Sequence, residues 1–286
     1  MNDIPMVDAH VHFWDPSHLQ YPWLEALPAL NHPCLPRDYD KDSAAAQISK
    51  MIFVECGCSS DQSLAEVAWV SDLALTEPRL CGIVARAVLE RGGRVRAELN
   101  ALAKFSLVKG VRRNFEDEVM DFCLQPAFIN GVRELAQFNF SLDICVRHKQ
   151  LPSVNELVRE CPEVKFVLDH CGKPDICHRI LDPWRQHIAL LAKAPNVYCK
   201  ISGLMTEARR KQWAPEHFRP YVHHVLECFG PEKVMLGGDW PINTLGGSYS
   251  EWCNIVDYCL DGLDDIAKTR VYKSTAESFY RLDDCH

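Results

Sequence analysis

The sequence predicts an α/β fold, a single (β/α)8 barrel over residues 1–286, with a long aromatic-rich loop after the first strand. Three observations lead there. Eight short apolar runs alternate with amphipathic helical stretches, as parallel strands joined by helical crossovers require. The runs are rich in Val, Ile, Leu, Phe and Cys and mostly lack strict alternation, which marks strands buried on both faces. No G-x-G-x-x-G turn follows the first strand, where an open doubly wound sheet often carries one; Phe13-Trp14-Asp15-Pro16 stands there instead.

In order, the strands are expected at Val7–His12, Met51–Glu55, Leu80–Arg86, Val108–Arg112, Phe140–Cys145, Lys165–His170, Val197–Ile201 and Val234–Gly238. Helical periodicity runs through Ser63–Thr76, with Leu64, Val67, Ala68, Leu73 and Leu75 on its apolar positions. Pro126–Phe138, Pro152–Cys161, Asp182–Ala194 and Pro215–Phe229 read the same way. Pro126, Pro152 and Pro215 sit where a first helical turn tolerates proline. Between the first two strands, Phe13 to about Asp42 carries Phe13, Trp14, Tyr21, Trp23, Tyr39 and five prolines. Its aromatics argue against disorder, so this segment is expected to cover the barrel top and to wall the site.

A chain of 286 residues is normal for one such barrel, and 47% apolar residues supply a large core. A formal net charge of −8 argues against nucleic acid or an anionic membrane as the main partner. No apolar run is long enough to span a bilayer, and no secretory signal is visible at the N-terminus. Most of the 14 cysteines fall in expected strands and helices, where Cys acts as a small buried hydrophobe. Cys56-Gly57-Cys58 lacks a second such pair and is not read as a zinc site. A reduced, cytoplasmic protein is expected. A homo-oligomer is among the expected assemblies.

Active sites of these barrels form at the C-terminal strand ends. His10-Val11-His12 places two imidazoles on one face of strand one, half of a metal site or part of an acid/base centre. Other strand ends bring Glu55, Lys109, Arg112, Arg113, Arg147, His148, Asp169-His170, Lys200, Ser202 and Asp239-Trp240. Asp239 leaves a buried apolar strand, so a metal or an imidazole must offset its desolvation. His170 and Asp239 are the expected catalytic pair. Lys200 is flanked by apolar residues, either snorkelling or held for an anion or a carbonyl oxygen. Arg112 and Arg113 are adjacent, so one is expected to point inward toward substrate oxygens.

These residues resemble the amidohydrolase superfamily: His-x-His on strand one, His170 on strand six, Asp239 on strand eight. Finer blocks resemble its sugar-acid lactonase branch. They are Val7-Asp8-Ala9-His10-Val11-His12-Phe13-Trp14-Asp15-Pro16, Tyr21-Pro22-Trp23-Leu24, Gly110-Val111-Arg112-Arg113, Leu168-Asp169-His170-Cys171-Gly172-Lys173-Pro174, Cys199-Lys200-Ile201-Ser202-Gly203-Leu204 and Gly237-Gly238-Asp239-Trp240-Pro241. Two departures stand out. Strand five has no histidine, where many members place a ligand, and Lys109 alone does not make a two-metal site.

The resemblance implies hydrolysis of a lactone such as L-fucono-lactone. It implies one divalent ion, zinc first, on His10, His12 and Asp239, although some members of the branch work without metal. Asp239 and His170 would then handle the water, and Arg112, Lys200, Trp14, His148 and Trp240 would bind substrate. The alternatives are a hydrolase of pyrone dicarboxylate or muconolactone, a non-oxidative aromatic-acid decarboxylase, and a non-catalytic sugar-acid binder.

Overall fold

The computed structural model describes residues 4–209 and 212–282. Eight parallel strands lie in sequence order: β1 (Met6–Val11), β2 (Ile48–Val54), β3 (Leu80–Arg86), β4 (Val108–Arg112), β5 (Ser141–Ile144), β6 (Phe166–Leu168), β7 (Val197–Ile201) and β8 (Val234–Leu236). The ring closes where Val11 bridges Trp240, His12 N donates to Trp240 O (2.8 Å) and Asp239 N donates to His10 O (2.7 Å). This is the expected (β/α)8 barrel. Its helices are α1 (Pro36–Asp42), α2 (Ser63–Ala74), α3 (Arg96–Leu102), α4 (Pro126–Glu134), α5 (Leu151–Glu160), α6 (Trp184–Leu191), α7 (Arg219–Phe229), α8 (Tyr249–Cys259), α9 (Asp265–Thr269) and α10 (Thr275–Tyr280).

Two apolar cores follow from the strand pleat. One lies between strands and helices and includes Met6, Val11, Phe53, Val111 and Leu168. The other fills the barrel interior with Val7, Ala9, Ile52, Val84, Val167 and Met235, and α10 joins it through Ala276, Phe279 and Tyr280. Lys50 Nζ donates to Leu282 O (3.1 Å), and Arg281 donates to Lys109 O (3.1 Å). The segment 275–282 therefore floors the barrel, next to the early residues of β2 and β4.

The pleat of β1 changes phase near His10. Val7 and Ala9 face the interior while Met6 and Val11 face the helices, and the β1–β2 register shifts between Asp8 and Val11. Asp8 pins this irregularity. Its Oδ1 accepts from His10 N (3.0 Å) and Gly238 N (2.7 Å), and its Oδ2 from Tyr39 (2.9 Å) and Tyr249 (2.8 Å). Without the shift, strict alternation from Ala9 would turn His10 away from the interior.

The segment after β1 is ordered by a Trp14–Cys34 bridge, a 3-10 turn at Pro22–Ala26 and α1. Trp14 donates its indole N–H to the carbonyls of Leu30 (3.2 Å) and His32 (3.0 Å), and Trp23 donates to Cys56 O (2.7 Å). The rings of Trp14 and Trp23 meet edge to face at 5.3 Å. This segment both covers the barrel mouth and walls the site. No helix among the described residues is long and apolar enough to cross a membrane.

Candidate active site

A cavity of about 480 Å³ opens at the C-terminal strand ends, a usual size for a small-molecule site. His12, Glu55, Arg112, His170 and Asp239 form its floor, and Trp14, Trp23, Ala26 and Leu27 one wall. Arg86, Arg113, Asn114, Glu116, Cys145, Lys173 and Thr206 are among the other lining residues.

The floor is built by strained strand ends. His170 (φ 55°) and Asp239 (φ 57°) both adopt the left-handed region, which costs a non-glycine residue about 1–3 kcal/mol. That backbone aims both side chains at His10 and His12. Gly203 (φ 61°) makes room, because a Cβ there would lie 2.5 Å from His170 Nδ1 and 2.9 Å from Asp239 Oδ2.

The donor atoms converge. His10 Nε2 lies 3.2 Å from His12 Nε2. Asp239 Oδ1 lies 3.7 Å from His10 Nε2, 3.4 Å from His12 Nε2 and 4.0 Å from His170 Nε2. The far sides of the rings are engaged elsewhere. His12 Nδ1 bonds Val54 O (2.8 Å), His170 Nδ1 faces Ser202 Oγ (2.9 Å), and His10 Nδ1 lies 3.4 Å from Asp169 Oδ1. Burial drives His10 and His170 well below the usual imidazole range. Burial would raise Asp239, but His170 and the His12 hydrogen bond outweigh it and hold the carboxylate low.

Two imidazole nitrogens at this separation share either a proton or a cation. Three Nε2 atoms and one carboxylate oxygen, each ring tethered at its other nitrogen, make a donor set that suits a divalent ion such as zinc. The donor atoms of His10, His170 and Asp239 all lie within 4.8 Å of one another, so His170 stands beside the expected ligands His10, His12 and Asp239. Both oxygens of the buried Asp169 lack a hydrogen-bond partner; ion pairs surround it instead.

Beneath this centre lies a buried ionic chain. Lys200 Nζ contacts Asp143 Oδ2 (2.6 Å) and Asp169 Oδ1 (3.1 Å), and Tyr280 donates to Asp143 Oδ2 (2.7 Å). Arg112 pairs with Glu55 (2.8 Å) and reaches Asp169 (3.6 Å) and His10 (3.4 Å). Burial would raise Glu55, but Arg112 outweighs it and lowers the carboxyl from its ordinary value.

Three expected substrate contacts are corrected. Lys200 is fully buried and held by Asp143 and Asp169, below the cavity. Trp240 points into the core of the first loop, because Asp239 takes the inward direction; its indole donates to Asp42 (2.8 Å). His148 starts a turn after β5 and is drawn to Lys173 O (3.0 Å), outside the lining. Lys109 packs beside Gly82 and is also absent from the lining. Arg112 and Trp14 do line the cavity, as does Arg113, whose side chain is turned toward Glu90 and Glu118.

Sequence reasoning missed Arg86, Glu116 and Lys173 as lining residues. Arg86 ends β3, so the strand-end rule could have found it. Lys173 lies in the noticed turn after His170, and its ion pair with Glu116 bridges distant loops that no local pattern links.

The fold and the site define a barrel hydrolase with a metal-competent centre. The amidohydrolase family model matches residues 7–282, and the chain belongs to that family. It is 31% identical to an L-fucono-1,5-lactonase from Burkholderia multivorans, covering 96% of each chain. It is 28% identical to an L-fucono-1,5-lactonase from Burkholderia ambifaria, over 97% of this chain and 96% of the relative. A crystal structure of an amidohydrolase from Burkholderia multivorans with bound zinc superposes with a TM-score of 0.86 at 29% identity, covering 97% of this chain and 99% of that one.

Proposed function

We propose that the protein opens a neutral sugar-acid lactone, with L-fucono-lactone or a similar deoxy-hexonolactone as the preferred substrate. The observation that carries this choice is charge pairing in the cavity. Arg112 is matched by Glu55, Arg113 by Glu90 and Glu118, and Lys173 by Glu116, while Arg86 is held by Cys58 O (2.6 Å). A dicarboxylate would need at least two cations without carboxylate partners. A neutral polyol ring instead uses paired groups, whose oxygens accept and whose nitrogens donate. Trp23, backed edge to face by the buried Trp14, offers an apolar wall to its C–H face.

In this reading Asp239 takes a proton from water as the oxygen bonds the lactone carbonyl carbon. The ring C–O bond then breaks, and Asp239 returns the proton to the leaving ring oxygen, giving the open hydroxy acid. His170, tethered by Ser202, orients the water or the carbonyl oxygen. A divalent ion on His10, His12 and Asp239 would polarise the carbonyl and acidify water. Arg112 binds ring oxygens from the cavity floor.

The test is kcat/KM across L-fucono-, L-rhamnono-, D-arabinono- and L-galactono-lactones beside pyrone dicarboxylate. The deoxy-hexonolactones are expected to lead. A tenfold preference for the pyrone, about 1.4 kcal/mol, would overturn the choice of substrate class. Release of carbon dioxide from an aromatic acid without lactone opening would favour a decarboxylase.

A further inference from the structure

We propose that a second cavity beside the active-site mouth binds the carboxylate of a polyhydroxy acid. This is the chemical class of the product formed by the reaction proposed above, and the assignment of the ligand rests on that reading. The cavity measures about 440 Å³, and its lining includes His178, Arg179, Arg209, Gln212, Trp213 and His217. It shares a wall with the active site. Thr206 lines the active cavity and Ala208 lines this one, and Cys177 N donates to Glu207 O (2.9 Å) between them.

Two features point to an anion. Neither Arg179 nor Arg209 has a carboxylate partner among the described residues, whereas Arg112 and Arg113 of the active cavity do, and Asp175 is taken by His178 (2.8 Å). The second feature is a conflict of donors. His217 Nδ1 accepts from Ala214 N (3.1 Å), so the ring proton of His217 must sit on Nε2. Nε2 lies 2.9 Å from an Arg179 guanidinium nitrogen, which can only donate. Two N–H groups therefore face each other with no acceptor between them. An anionic oxygen beside both would accept from each, in the charge-assisted geometry that guanidinium favours. Trp213, its indole N–H engaged by Gly246 O (3.1 Å), adds an aromatic surface for a carbon chain.

The chemistry supplies such an anion. Hydrolysis of the lactone yields one carboxylic acid, which ionises at neutral pH and releases a proton. Inside the active cavity the new carboxylate meets Arg112, Arg113 and Lys173 already paired with carboxylates; past the 206–208 wall it meets Arg179 and Arg209, which have no such partner among the described residues.

Isothermal titration of the wild-type chain with L-fuconate and, separately, with inorganic phosphate tests this. Variants Arg179→Gln and His217→Asn accompany it, the asparagine retaining an acceptor for Ala214 N. The expected result is L-fuconate binding that weakens at least tenfold in both variants, while kcat/KM for the lactone changes less than twofold. L-fuconate binding that is unaltered in the Arg179→Gln variant, or absent from the wild type, overturns the site. Phosphate binding more tightly than L-fuconate with the same dependence on Arg179 overturns the carboxylate assignment. Because binding is read without turnover, a protein that holds L-fuconate here yet opens no lactone would overturn the proposed function and leave the site standing.

Discussion

Asp239 is held ionised in a buried position where three imidazoles surround one of its oxygens. Asp239→Asn keeps the shape and removes the base. A loss of roughly 10²–10⁴ in kcat is expected, and a folded variant with near-normal turnover would contradict the assignment. The same geometry makes a metal prediction. Elemental analysis of purified protein is expected to find about one divalent ion per chain, lost in the His10→Ala/His12→Ala double variant. Chelator-resistant activity with little bound metal would leave these histidines a hydrogen-bonding role only. At this scale the sequence named most of the centre, since His10, His12, His170 and Asp239 all sit at strand ends. It could not give depth. Lys200 obeys the inward alternation, but its partners Asp143 and Tyr280 lie far off in the chain, and only the folded barrel reveals that they neutralise it below the cavity.

Among the elements, α2 carries a titration of its own. Glu66 lies in its first turn, fully buried, with Oε2 lacking a hydrogen-bond partner. Burial first, and Glu55 second, push its carboxyl up to about 8 from an ordinary 4.5. The folded state thus binds a proton that the unfolded chain has released. Stability from this group is complete below pH 4.5 and declines as pH rises toward 8, by about 1.4 kcal/mol per unit at most. Denaturant unfolding of wild type and Glu66→Gln at pH 5 and pH 8 should show the wild type losing ground at the higher pH; parallel pH slopes would refute this. The strands were the most legible elements. Leu80–Arg86, Val108–Arg112 and Val197–Ile201 match to the residue, because doubly buried strands write continuous apolar runs. The sequence marks no helix at α1, α3, α8, α9 or α10. The approach to α10 passes through a π-helical turn at Arg270–Ser274, which breaks the 3.6-residue period that sequence reading depends on.

For the whole molecule, the floor and the active centre are one connected structure. Tyr280 of α10 holds Asp143, Asp143 holds Lys200, Lys200 contacts Asp169, and Asp169 flanks His10. Removing one hydroxyl from this chain, in Tyr280→Phe, leaves a buried carboxylate oxygen with one donor fewer. A stability loss of about 1.5–3 kcal/mol is expected in chemical denaturation, and a loss below about 0.5 kcal/mol would mean that the floor is dispensable. The position of that floor also sets a timetable. Residues 275–282 follow all eight strands, so a ribosome delivers them after every wall of the barrel has been made. Until then the inward faces of Val7, Ile52, Val84 and Val167 have no cover from below, and Asp143 and Lys200 stay open to water. Closure is therefore a late event, and a nascent chain paused before Thr275 would present a sticky, half-hydrated bore to chaperones and to its neighbours.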